Sequence, residues 1–153
     1  PDRPIAVIYT GIDIIEIDRI AAVAARYPGR FLAKIYTPGE QAYCRGRAPQ
    51  LASRFAAKEA VMKMLGTGVR GVPWKDVEVV RERGRAPEIV LHGKAKAVGE
   101  WLGITRVALS LTHSREYAVA SVVGEARDGA GAGKPGAPPG ASGGPSAGPR
   151  ASR

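Results

Sequence analysis

From Ile5 to Ile17 the chain is a run of Ile, Val and Tyr, and its β-branched content predicts a buried strand. Asp13 interrupts it. With side chains alternating between two faces, Asp13 falls with Val7, Tyr9, Ile15 and Ile17. It reads either as a strand-end residue turning back on local backbone or as an acid held in apolar company. Asp18 then reads as the N-cap of a helix to about Tyr27, with Ile20, Val23, Ala24 and Tyr27 on one side and Arg19 and Arg26 on the other. Arg30 follows the Pro28-Gly29 break. Thr37-Pro38-Gly39-Glu40 is a capping box with Pro at the first helical position, opening a short helix to about Gly46. Good helix formers from about Gln50 to Gly66 predict the longest helix, with Leu51, Phe55 and Met62 on one face. Beyond Gly68 the period changes. Val77–Arg81 and Glu88–Leu91 flank a turn centred on Gly84 and predict a hairpin; Lys94 to Leu102 predicts a helix closed by Gly103; Arg106–Thr112 and Tyr117–Val123 predict a second strand pair. Helices in the first half and strands in the second predict an α+β fold, helices packed on an antiparallel sheet.

Composition divides the 153 residues in two. Residues 124–153 hold nine Gly and five Pro, many Ala and Ser, and no aromatic or large aliphatic residue. Such a segment cannot bury enough apolar surface to order itself, so it is expected to be a disordered tail behind a single domain, residues 1–123. The net charge is +9, and removing the tail's four basic and two acidic residues leaves +7 for the domain. A domain this basic attracts polyanions: nucleic acid, a phosphorylated cofactor or an acidic protein. One cysteine, Cys44, excludes an internal disulfide framework and a multi-cysteine zinc site. With no apolar run of membrane-spanning length and no signal-peptide pattern, the expectation is a cytoplasmic protein away from the membrane.

Charge alone does not choose a partner, but the positions of two acids narrow the chemistry. Glu59 lies within about 40° of Phe55 on the long helix, so its carboxylate is aimed at the core side. An ionised carboxylate out of water needs an ion-pair partner or a metal. Lys63, one turn on in the favourable Glu-before-Lys order, offers the first; Arg54, Lys58 and Lys63 together surround Glu59 with positive charge. Gly66-Thr67-Gly68 reads as a helix stop, and its backbone freedom also suits a turn that cradles phosphate. His113 sits at a strand end where a loop can present it, whereas His92 reads as a polar turn residue. The phosphate-loop, nucleophile-elbow and zincin signatures are absent. A small nucleic-acid-binding domain would suit the charge, yet it leaves Asp13 and Glu59 unexplained and lacks a recognition motif. Nucleic acid is therefore not expected as a partner.

Three stretches in order, Gly11-Ile12-Asp13-Ile14 with Ile17 and Arg19, Arg54-Phe55-Ala56-Ala57-Lys58-Glu59-Ala60 running to Gly66-Thr67-Gly68, and Leu111-Thr112-His113-Ser114-Arg115-Glu116-Tyr117-Ala118-Val119-Ala120, resemble the holo-acyl carrier protein synthases. These are the short, single-copy type of 4′-phosphopantetheinyl transferase, and the likeness covers about Ile5 to Val123. The resemblance implies that coenzyme A donates 4′-phosphopantetheine to a serine of apo acyl carrier protein, releasing 3′,5′-ADP, for fatty acid or polyketide synthesis. It implies that Asp13 and Glu59 hold Mg²⁺, which fits the preference of that ion for one or two carboxylates plus phosphate and water. By the same likeness Asp13, Glu59 and Lys63 are the catalytic set. Arg54, Lys58, Lys63, Gly66, Thr67, Gly68, Pro87 and His113 are expected around coenzyme A, and Arg19, Arg26 and Arg30 against the acidic carrier. The family often has Gly-Lys-Pro where this chain reads Arg85-Ala86-Pro87, which removes a lysine contact at Ala86 and leaves Arg85 or Arg83 to replace it. A single-copy chain is further expected to build its site between subunits, as a homotrimer.

Overall fold

In the computed structural model the described residues are 7–127. Strand β1 (Val7–Glu16) leads directly into helix α1 (Ile17–Arg26), followed by α2 (Arg30–Ile35), α3 (Pro38–Cys44) and α4 (Ala48–Leu65). A 3₁₀ turn at Trp74–Asp76 opens β2 (Val77–Val80); β3 (Glu88–Leu91), α5 (Gly93–Leu102), β4 (Ile104–His113) and β5 (Tyr117–Ala126) complete the order. The α+β architecture is as the sequence predicts. Both hairpins form: β2 pairs with β3, and β4 with β5.

The long-range connection is β1 alongside β5, antiparallel from Val7↔Ala126 to Glu16↔Tyr117, giving a sheet of order β1-β5-β4. Periodicity marks each strand but does not say which strands are neighbours, so this pairing was not legible in the sequence. Strand β5 also runs past Val123 to Ala126, because Gly124 leaves room for Met64 of α4: a Cβ there would lie 2.8 Å from the sulfur. Residues 128–153 of the expected tail lie outside the described residues, as does Ile5.

Several boundaries move for local reasons. Ile17 is buried and opens α1, and Asp18 lies in the first turn; the N-cap is Glu16, without a side-chain cap. Tyr27 is exposed instead of packing beneath α1. The capping box at Thr37 and Glu40 forms as read, with Thr37 N donating to Glu40 Oε1 at 2.8 Å and Glu40 N to Thr37 Oγ1 at 3.2 Å. Helix α2 was missed, since six residues after a Pro-Gly break carry too short a period to register.

Helix α4 organises the rest. The sequence predicts one apolar face, yet residues on every side are buried, including Leu51, Ala52, Ala56, Ala57, Ala60, Val61, Met62 and Met64. Four alanines make this possible by letting neighbours approach on several sides at once. The closest approach is to β1, where a Cβ on Gly11 would come within 1.9 Å of the Ala60 carbonyl oxygen. Only glycine fits there. Gly11→Ala is expected to force strand and helix apart at a cost of about 1–3 kcal/mol, the usual range for overpacking. A thermal melt checks this: the midpoint should fall by at least about 4 °C, and an unchanged midpoint would show that the contact is not close-packed.

Candidate functional site

The contact between Gly11 and Ala60 decides what lies beside it. Asp13, two residues along β1, points inward as the alternation predicts and is 9 % exposed. Glu59, next to Ala60, is half-buried, with its carboxyl beside that of Asp13. Lys63, one turn further along α4, donates to Asp13 Oδ1 at 3.0 Å and to the carbonyl of Ile12 at 3.0 Å. The sequence reading that paired Lys63 with Glu59 is thus changed: the ammonium crosses to β1. Two carboxyls and one ammonium meet where strand and helix touch.

The electrostatics follow from that geometry. Burial raises the Glu59 carboxyl, the neighbouring Asp13 carboxyl raises it further, and Lys63 and Arg19 pull it back, leaving it at about 7 from an ordinary 4.5. Glu59 also borders a cavity of about 320 Å³ between β1, α1 and α4, whose apolar wall includes Ile15, Ile20, Phe31 and Phe55 and whose rim carries Arg19. Phe55 is held in place by stacking on Trp74, with ring centroids 4.8 Å apart. The site is therefore an acidic pair with one lysine, at the edge of an apolar pocket with an arginine at its mouth.

The other expected residues are distributed more widely. Arg19, Arg26 and Arg30 are all exposed, along α1 and at the start of α2, with Arg26 lying over the Tyr27 ring at 5.4 Å. Gly66 caps α4 in the left-handed region at φ 74°, Gly68 has φ 64°, and Thr67 Oγ1 donates to the Gly68 carbonyl at 3.2 Å. Pro87 lies in the β2–β3 hairpin and His113 at the end of β4, two strands across from β1. Neither borders the cavity beside Glu59. Arg85, the candidate to replace the missing hairpin lysine, is exposed and pairs with Glu82 at 3.6 Å.

Two expected cofactor contacts turn inward. Arg54 is 4 % exposed with its guanidinium 4.3 Å over the Tyr43 ring, and its Nη2 finds no hydrogen-bond partner among the described residues. Lys58 is completely buried on the side of α4 away from the carboxylates, paired to Glu40 at 2.8 Å and donating to the Trp74 and Val77 carbonyls. It does not face the Glu59 cavity, and contrary to expectation its buried ammonium is not placed to meet the cofactor. The physical reason is the helix period: one residue from Glu59 is a turn of about 100°. From the sequence Glu40 reads only as a capping residue. Its second carboxylate oxygen accepts from Val79 N at 3.0 Å, a contact with no local sequence signal.

A family model for the 4′-phosphopantetheinyl transferase superfamily matches residues 9–122. The chain belongs to that superfamily. It is similar to the holo-acyl-carrier-protein synthase of Koribacter versatilis, 53 % identical over 118 residues, covering 74 % of this chain and 94 % of that protein. The corresponding synthase of Moorella thermoacetica is 47 % identical over 113 residues, with 72 % and 88 % covered. Among solved structures, the Helicobacter pylori holo-acyl-carrier-protein synthase in complex with coenzyme A matches with a TM-score of 0.69 at 30 % identity, over 75 % of this chain and 98 % of that one. Within the superfamily the chain is thus a phosphopantetheinyl transferase of the holo-acyl-carrier-protein synthase kind.

The raised Glu59 carboxyl gives a pH signature. A carboxyl held above its unfolded value contributes stability below about pH 4.5, and that contribution is lost as pH rises through about 7. In protein stripped of divalent cations, Glu59→Gln should therefore gain stability relative to the parent as pH increases from 5 to 8. Parallel melting curves at both pH values test this; an offset independent of pH would mean that burial and Asp13 do not raise the Glu59 carboxyl.

Proposed function

We propose that the chain transfers 4′-phosphopantetheine from coenzyme A to a serine of an apo acyl carrier protein, in a Mg²⁺-dependent reaction that releases 3′,5′-ADP and supplies holo carrier for fatty acid or polyketide synthesis. The observation that carries this reading is the meeting of Asp13, Glu59 and Lys63. Two carboxyls pressed together with one lysine make a site that gains by binding a hard divalent cation, and oxygen donors suit Mg²⁺. No cluster of three or more metal-binding side chains occurs among the described residues, so phosphate and water would complete the shell. Bound by Asp13 and Glu59, the metal would supply neutralising charge for the pyrophosphate.

The chain's own residues orient and select. The serine hydroxyl of the carrier gives its proton to a base at the site, Glu59 or a water, as its oxygen bonds to the phosphorus that bears pantetheine; the bond to the bridging oxygen breaks, and 3′,5′-ADP leaves with that electron pair. Lys63, with its side chain 56 % exposed, has the freedom to turn from Asp13 to a phosphate oxygen. The turn at Gly66 to Gly68, Pro87, His113 and the unpartnered nitrogen of Arg54 are the further contacts proposed for coenzyme A. Arg19, Arg26 and Arg30 form an exposed basic stripe for the acidic carrier, beginning at the rim of the Glu59 cavity.

Pro87, His113 and the Asp13–Glu59 pair lie on separate parts of one chain, which supports a site completed by a second copy. The β1-β5-β4 sheet supplies a surface for it: Ile12 and Ile14 are 62 % and 61 % exposed, and Ile8 and Val123 share that outer face. A monomer rarely leaves such a patch in water. The proposed assembly is a homotrimer, acting in the cytoplasm with no nucleic acid or membrane as partner. The described helices include none long and apolar enough to cross a membrane.

Intact mass of an apo carrier after incubation with the chain, coenzyme A and Mg²⁺ tests the reaction. A phosphopantetheine gain is expected, abolished by chelator and reduced at least a hundredfold in rate by Asp13→Ala or Glu59→Ala, in line with the loss of a charge-stabilising group. No gain with several carriers, from folded and oligomeric protein, would overturn the reading. Light scattering tests the assembly: Ile12→Asp with Ile14→Asp should convert the trimer to monomer and abolish turnover, whereas an unaltered mass would exclude this face as the interface.

A further inference from the structure

The buried ion pair on the other side of α4 has no part in the chemistry above, yet it joins three elements. Lys58 and Glu40 are both 0 % exposed. The ammonium donates to Glu40 Oε1 on α3, to the Trp74 carbonyl in the 3₁₀ turn and to the Val77 carbonyl at the start of β2. Glu40 also accepts from the backbone N–H groups of Thr37 and Val79. A parallel link joins Thr37 Oγ1 to Glu78 Oε2 at 2.6 Å. All three ammonium protons and both carboxylate oxygens are therefore used, in five bonds of which four go to backbone groups and three of those lie in β2 and its leading turn.

A charge pair this dry is a poor source of stability, because apolar residues of similar volume in its place are often neutral or stabilising. What it supplies is direction: bonds to fixed carbonyl and amide groups permit one placement, whereas apolar contacts permit several. The placement it sets is that of α4 against the small β2–β3 sheet. On α4 the neighbouring residue is Glu59 and Lys63 follows a turn later; the small sheet carries the hairpin with Pro87.

We propose that Glu40 and Lys58 are a positioning pair for coenzyme A: they fix the small sheet to α4, so that the Glu59 and Lys63 side chains and the Pro87 hairpin keep constant positions for the cofactor. This rests on the transferase reading. Lys58 acts through the elements it ties together and touches no reacting atom. The basic stripe of α1 and α2 lies outside the tether, so recognition of the carrier protein is independent of it.

The test is the double variant Glu40→Leu with Lys58→Met, which removes both charges together and leaves neither stranded. The backbone groups of Thr37, Trp74, Val77 and Val79 lose a partner, so its melting temperature should fall, and both proteins are compared well below their midpoints. The calorimetric Kd for coenzyme A in Mg²⁺ should rise at least fivefold, and kcat/KM for coenzyme A should fall about ten- to a hundredfold, the scale expected of an ångström-sized misplacement. KM for the carrier should stay within twofold. Parent values for coenzyme A binding and turnover in a folded double variant would overturn the proposal, as would an equal rise in both KM values, which marks a general loosening. Should the double variant not fold, Glu40→Asp decides: it keeps the charge but shortens the tether by one methylene. Weakened coenzyme A binding at unchanged carrier KM supports the pair's role, and parent binding overturns it. A parent chain that leaves every carrier unmodified would instead defeat the transferase reading itself.

Discussion

The absence of a side chain at Gly11 is the constraint on which the rest depends. It lets α4 seat its backbone directly against β1, at the carbonyl of Ala60. Any larger residue would lift the helix away, and the carboxyls two residues along the strand and one along the helix would part. The same contact explains the small residues of α4. Ala56, Ala57 and Ala60 give nothing to packing by volume but let the helix be covered from all sides, with Met62, Val61 and Leu51 filling the space between.

Around that helix the charges are separated by role. Towards β1 stand two carboxyls that repel each other and are only partly relieved by Lys63, a strained arrangement with unused capacity for a cation. Towards α3 and β2 stand one carboxylate and one ammonium with every bond satisfied. Consecutive residues, Lys58 and Glu59, thus serve opposite ends, and only the 100° step of the helix separates them. Burial lowers the Lys58 ammonium from its ordinary value while the Glu40 carboxylate opposes that fall. The balanced pair holds still; the unbalanced pair is where chemistry is proposed.

The surfaces are divided in the same way. The outer face of the three-stranded sheet is apolar at Ile8, Ile12, Ile14 and Val123, while the exposed sides of α1 and α2 are basic at Arg19, Arg26 and Arg30. Since β1 alternates, the residues between the outward isoleucines are those that point to α4, Gly11, Asp13 and Ile15. One strand therefore lends one face to the site and the other to assembly, so that the proposed trimer and the proposed metal site share a backbone.

The sequence by itself determined every helix but α2, the five strands and most of their ends, because period, capping and turn chemistry are local: the Thr37 box, the β2–β3 hairpin and the inward direction of Asp13 all follow from residues a few positions apart. It also marked Glu59 as an acid on an apolar side, and the three stretches carrying Asp13, Glu59 and His113 were enough to point to the family. The tertiary structure decided what depends on distant groups. It placed β1 beside β5, across more than a hundred residues, and turned Lys63 from Glu59 to Asp13. It sent Lys58 into the interior to meet Glu40, eighteen residues away, where a helical wheel showed only another cation near Glu59. Long-range pairing and burial are properties of the folded neighbourhood, and a side chain's partner is settled only when packing has removed the water that would otherwise serve as well.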